Sequence, residues 1–200
     1  IRALKEAQTA ARLPESTVVD LGETLYVTDA ASWRAWLEAT HETATEIWLV
    51  FHTKASGVPS LPYNDAVDEA LCFGWIDSVV KKHGPDSRAQ RFTPRRPGSP
   101  VSEMNKARVR RMVEAGRMTP AGLAAAGDVL DEPYEVPRDI LDALRADEET
   151  WSNFEAFPDS YKRIRVGWID GSRKRQDVFE TRLRYFLKMT KQNKRFGMVQ

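Results

Sequence analysis

The chain predicts an α+β fold, with a small mixed sheet of about four strands in its N-terminal half followed by an all-helical C-terminal half. Three observations carry that expectation. Segments with strand character all lie before residue 95, the segments after residue 100 read as helices, and Pro94, Pro97 and Pro100 separate the two patterns. The expected organisation is a sheet-containing region over residues 1–96 and a helical region over 97–200 packed on it, as one continuous domain or two small units sharing a core.

Taken in order, Thr24 to Thr28 (TLYVT) is short and β-rich. Asp29 or Ser32 supplies an N-cap for a helix whose Trp33, Trp36 and Leu37 recur at helical spacing. Glu46 to Lys54 (EIWLVFHTK) is a nearly continuous apolar run, the mark of a buried central strand. After the Gly/Pro loop Ser56 to Pro62, a helix opens at Tyr63 or Asn64 and runs to about Phe73, with Tyr63, Val67, Ala70, Leu71 and Gly74 on one face. Trp75 to Lys81 (WIDSVVK) reads as a strand, His83 to Asp86 as a turn, and Ser87 to Thr93 as an antiparallel partner stopped by Pro94. Ser102 caps a helix that ends at Gly116, and Thr119-Pro120 restarts one in N-cap/N1 order. Four further helices are expected over Pro137–Leu144, Glu148–Ala156, Ser160–Ile169 and Arg173–Lys191.

Hydrophobic residues make up 42% of the chain, with six Trp and eight Phe, enough for a sizeable core. No apolar run approaches the ~20 residues that a membrane span needs, so no membrane partner is expected. Ile1 to Ser16 lacks the apolar core of a secretory signal, and a single cysteine excludes an internal disulfide. Both suit a soluble, cytoplasmic protein.

Behind a net charge of +1 lies a block pattern. Residues 1–80 carry 5 basic and 12 acidic side chains, 81–117 carry 11 and 3, 118–160 carry 2 and 11, and 161–200 carry 12 and 3. Either the basic blocks meet an anionic partner, or acidic and basic blocks lie against each other within the fold.

Catalytic and metal signatures are missing. His41, His52 and His83 are far apart, and with one cysteine there is no zinc pattern, so no metal is expected. Neither a Gly-rich phosphate loop nor a GxSxG elbow occurs, and no cofactor is expected. Cys72 should be a packing residue, because Asp65, Asp68, Glu69 and the helix C-terminus all disfavour a thiolate. Asp68 and Glu69 are adjacent on a helix and make a poor acid/base pair.

The most informative stretch runs from Trp75 to Asn105. Asp77 falls within a strand, where an acid is exposed at an edge or paired when buried. Arg91, Arg95 and Arg96 place three guanidiniums within six residues, a fit for a carboxylate or phosphate in a ligand or in the protein's own acids. Strand alternation sends Phe92 into the core and Arg91, Thr93 and Arg95 the other way, toward an anion or toward Asp77 or Glu69. Asn105 shares a helix face with Val109 and Met112, so its amide should point inward and find partners. The candidate ligand-binding set is therefore Glu69, Trp75, Asp77, Arg91, Thr93, Arg95, Arg96 and Asn105, read as a cleft or as a polar joint between the halves, with the joint slightly favoured. The basic helix Arg173 to Lys191 suits phosphates but lacks a reading module, so any nucleic-acid binding there should be weak and non-specific.

Several blocks also resemble the bacterial YdeI/OmpD-associated family, known as bacteriocin-protection proteins. The resemblance rests on Tyr63 to Asp77 with its EALCFGWID core, on RFTPRR at Arg91 to Arg96, and on Ser99, Ser102 and Asn105. It continues through GRMTPAGLA at Gly116 to Ala124, VPRDILDAL at Val136 to Leu144, and Trp168 to Arg182, covering about Thr24 to Lys191. Val101 stands where that pattern has Trp, and Ser78 where it has Gly, each a change to a pocket wall. The resemblance implies stress or bacteriocin resistance and no catalytic mechanism.

The functional expectation is a noncatalytic binding or stress-protection protein holding a small anionic ligand in a cleft between sheet and helices. The rivals are an enzyme on a small anionic substrate, with Asp77 and Glu69 as its acid/base candidates, and a nucleic-acid-associated protein using residues 81–117 and 161–200.

Overall fold

A computed structural model describes residues 21–130 and 133–197; the Ile1–Ser16 segment considered above lies outside them. The described residues form four strands and eight α-helices. In the first half these are β1 (Thr24–Leu25), α1 (Ala30–Thr40), β2 (Ile47–His52), α2 (Tyr63–Cys72), β3 (Trp75–Gly84) and β4 (Ser87–Pro94). The helices α3 (Glu103–Glu114), α4 (Pro120–Ala126), α5 (Arg138–Arg145), α6 (Glu148–Ala156), α7 (Asp159–Asp170) and α8 (Gln176–Lys191) follow. The α+β reading, with strands first and helices after, is what the structure has.

The strands are ordered β1-β2-β4-β3, with β1 parallel to β2 and the other pairs antiparallel. The apolar run of β2 is explained by this order, since β2 has a strand on each side. Its register sets Ile47 opposite Phe92 and Leu49 opposite Gln90, while Asp77 of β3 also lies opposite Phe92. Residues directly opposite share a face. Phe92, Ile47, Leu49, Phe51 and Trp75 therefore pack together beneath Trp33 and Leu37 of α1 and Ala66, Val67, Ala70 and Leu71 of α2. Each such large side chain, fully buried, contributes roughly 1.5–3 kcal/mol.

Local chemistry sets most boundaries. Asp29, Ser102 and Thr119 each accept a hydrogen bond from the backbone N–H three residues on, capping α1, α3 and α4 as their sequences require. Three ends differ from expectation. Strand β3 runs on to Gly84 instead of Lys81, so His83 and Gly84 belong to the strand and not to the turn, because Gly84 still pairs with Ser87 of β4. Strand β1 stops at Leu25, because the Val27 carbonyl accepts from the Leu61 N–H, 3.3 Å away in the loop before α2, and so leaves the sheet. Helix α8 begins at Gln176, because Ser172 to Arg175 form a tight turn in which the Arg175 N–H donates to the Ser172 carbonyl at 2.8 Å.

The apolar clusters divide beyond the proline stretch. Met112 and Met118 still pack with the sheet cluster, while a second cluster gathers Ile140, Leu144, Phe154, Phe157, Tyr161, Val166, Ile169, Phe179 and Phe186. Helices α3 and α7 join the two. At that joint, a Cβ on Gly167 of α7 would lie 2.6 Å from Cγ of Glu103, so only glycine allows the helices this separation.

Candidate functional site

Helix α2 carries two adjacent acids that point to different partners, because consecutive helical residues do not share a face. Asp68 accepts from Arg108 at 2.6 Å and from Arg111 at 2.5 Å, both on α3. Glu69, only 1% exposed, accepts from Arg34 of α1 at 3.0 Å and is paired with Arg117 on its other oxygen. Arg108 also donates to the carbonyl and the side-chain oxygen of Asn64. Buried carboxylates with both oxygens engaged by guanidiniums form an ion-paired joint.

The other residues singled out by sequence are dispersed. Asp77 accepts from the Tyr63 hydroxyl at 2.6 Å, and burial together with that carboxylate pushes the phenol pKa up. Arg91 meets neither Asp77 nor Glu69. It pairs with Glu46, whose carboxyl it holds below the ordinary range, because β2–β4 pairing brings Glu46 beside it. Arg95 donates to the carbonyls of Ser99 at 2.6 Å and Pro100 at 2.7 Å, curling the proline stretch round its guanidinium, which burial pushes down from its usual pKa. Trp75 is a core residue whose indole N–H donates to the His41 carbonyl at 3.2 Å. Thr93 is half-buried and Arg96 exposed. Asn105 is half-buried, and its backbone N–H donates to the Ser102 hydroxyl; among the described residues its amide has no hydrogen-bond partner of the kind expected. Val101 lines a void of only about 10 Å³ with Trp75 and Arg95.

Cys72 is fully buried at the end of α2. Burial is the main reason its thiol pKa is raised, with Asp68 a small contribution and Arg34 opposing. Its carbonyl accepts from the Thr119 hydroxyl at 2.6 Å, and any side chain at Gly122 would strike it, which makes Cys72 a packing contact with α4. Among the described residues there is no cluster of three or more His, Cys, Asp or Glu suited to a metal, and no helix long and apolar enough to cross a membrane.

Where the two cores meet there is a cleft of about 430 Å³. Glu103, Ala107, Arg110, Arg111 and Glu114 of α3 line one wall, and Ser160, Arg163 and Ile164 of α7 the other. Arg111 is committed to Asp68, and Glu103 to Lys106 at 2.9 Å. Arg110 donates to the Val129 carbonyl, and Arg163 lies 4.8 Å from the Tyr134 ring centre; neither pairs with a carboxylate among the described residues. The Tyr134 hydroxyl, near Glu103, is buried without a hydrogen-bond partner, and burial raises its pKa. Sequence reasoning missed this cleft because its two walls come from segments some fifty residues apart in the chain.

Fold and site together define a two-core α+β protein, a small mixed sheet with its helices joined through α3 and α7 to a helical unit, with an arginine-lined cleft at the seam. Residues 25–125 match the model of a domain of unknown function (DUF8412), and the protein belongs to that family. Residues 133–193 match the model described as Bacteriocin-protection, YdeI or OmpD-Associated. The resemblance seen in the sequence is thus shown for the C-terminal part of the chain, while the blocks Tyr63–Asp77, Arg91–Arg96 and Gly116–Ala124 fall in the first match. Comparison with curated proteins and with solved structures gives no match.

Proposed function

We propose that this protein is a noncatalytic, cytoplasmic binding protein of the bacteriocin- or stress-protection type, holding a small anion in the cleft between α3 and α7. One observation carries the reading: Arg110 and Arg163, from the two walls, have no carboxylate partner among the described residues, in a cavity whose 430 Å³ suits a small molecule. Guanidinium forks on two sides favour a carboxylate or phosphate. The noncatalytic part rests on Asp68 and Glu69, whose oxygens are engaged by arginines. The charge blocks support a small ligand over a long polyanion, since many of their bases are already spent on acids of the same core. Arg91, Arg108, Arg111 and Arg117 meet Glu46, Asp68 and Glu69, while Lys162, Arg173 and Lys191 meet Asp159, Asp139 and Asp147.

The test is calorimetric titration with inorganic phosphate, pyrophosphate and citrate. Arg110→Ala and Arg163→Ala should each weaken binding about 10- to 100-fold, the loss of one charge-assisted contact of roughly 1.5–3 kcal/mol. Binding of none of the three, or binding unaffected by both substitutions, would overturn the reading.

A further inference from the structure

Helix α7 carries a second arginine whose surroundings differ from those of every other buried charge. Arg165 is only 6% exposed. Its guanidinium lies 5.0 Å from the ring centre of Phe196 and 5.8 Å from those of Tyr161 and Trp168. The Nε proton is buried without an acceptor, and among the described residues no carboxylate pairs with the group. Gly197, at φ +80°, brings its backbone so close that a Cβ there would lie 2.6 Å from Nη1.

Aromatic faces compensate a cation only in part. They attract its charge from above and below, but a guanidinium directs its five N–H bonds outward in its own plane, where rings offer no acceptor. A buried cation with unsatisfied donors is costly, and arginine cannot relieve the cost by losing its proton. The acids of α7 itself are already used: Asp170 holds Arg173, and Asp159 holds Lys162. Two further arginines stand by the same rings. Arg182 lies 4.5 Å from the same Trp168 ring and donates to the Trp168 carbonyl, and Arg195 is near Tyr161. The Tyr161 hydroxyl accepts from the Phe196 N–H at 3.3 Å, which ties the segment bearing Phe196 over the guanidinium.

We propose that Arg165, in its box of Tyr161, Trp168 and Phe196, anchors a second anion site, distinct from the α3/α7 cleft, that takes a small oxyanion (a phosphate or a carboxylate) on the edge of its guanidinium. The oxyanion supplies the in-plane acceptors that the rings lack, while the rings exclude water and orient the fork. Arg182 and Arg195 add long-range attraction for an anion.

The experiment is done in the Arg110→Ala/Arg163→Ala background, so that the cleft cannot answer for this site. Inorganic phosphate and acetate are titrated against thermal stability at ionic strength held constant with sodium chloride. A ligand that binds only the native state raises Tm in a saturable way. Phosphate should do so, and Arg165→Met should abolish the response while leaving Tm in anion-free buffer unchanged or higher, because methionine fills an aromatic box without needing a counter-ion. An equal response to acetate places carboxylates in the class, and a response to phosphate alone narrows it to phosphates. A phosphate response that survives Arg165→Met, no response to either anion, or a Tm lowered equally at every anion concentration would make the box purely structural and overturn the proposal. If the methionine variant does not fold, phosphorus-31 line broadening by the background protein and by its Arg165→Lys form decides. Broadening at least several-fold weaker in the lysine form is expected, since lysine keeps the charge but loses the fork, and equal broadening refutes the site.

Discussion

In the sheet-bearing core Asp68 and Glu69 each lie between two guanidiniums, whereas in the helical core Arg165 lies among three aromatic rings and pairs with no carboxylate among the described residues. The contrast follows from the chemistry of the ions. A carboxylate is small and acceptor-only, and when buried it needs donors on both oxygens. A guanidinium is broad and weakly hydrated, so ring faces can cover it without a carboxylate partner. The first core uses buried charge to hold α1, α2 and α3 together. The second keeps its acid–base pairs at the surface, as with Arg173–Asp139 and Lys191–Asp147, and its one buried arginine has no carboxylate partner among the described residues.

The largest effect should come from stripping Glu69 of both partners. Arg34→Ala/Arg117→Ala leaves a carboxylate at 1% exposure with no cation, and should cost on the order of 3–5 kcal/mol in denaturant unfolding. Each single variant should lose much less than half of that, because one guanidinium remains. Additive single losses would mean that the pairs act independently and that the first core does not depend on them jointly.

A smaller loss is expected at the joint between the cores. Gly167→Ala sets a Cβ 2.6 Å from Cγ and 2.9 Å from Cβ of Glu103, and should cost roughly 1–3 kcal/mol by overpacking. Trp33 fluorescence and far-UV circular dichroism should stay those of the parent, with the loss confined to stability and to anion binding in the cleft. A change in either spectrum would show that the cores are not separable in this way.

The smallest effect belongs to the exposed pair of the second core. Lys191, with the Thr150 N–H and hydroxyl, holds Asp147 at about 2. A depressed folded-state pKa contributes stability above the ordinary carboxylate pKa of 3.8 that is lost as pH falls through about 2. Lys191→Ala should therefore be slightly less stable than the parent at neutral pH and low salt, with the gap closing below pH 3.8 and, at any pH, in high salt. A salt-insensitive gap would place this pair with the buried ones and erase the contrast between the cores.

How far the sequence alone reached is clearest at particular residues. Asp29, Ser102 and Thr119-Pro120 were legible as helix starts because a cap is a contact between residues three apart. The apolar run of β2 told of its central place, and the alternation round Phe92 told which face of β4 is buried. The pairing of acidic with basic blocks was legible only as one of two alternatives. The individual partners were not. Arg91 chose Glu46 rather than Asp77 or Glu69, and the two arginines on Glu69 come from α1 and from beyond α3.

What the sequence by itself determined is the order, type and ends of nearly every element, since these depend on hydrophobic period and on contacts within a few residues. Tertiary structure alone decided which guanidinium meets which carboxylate, where the two cores part, and that Arg110, Arg163 and Arg165 have none among the described residues. Ion pairing among many like side chains is degenerate in sequence, and the choice falls to strand register and helix packing, which bring residues 45 or 48 positions apart to within bonding distance.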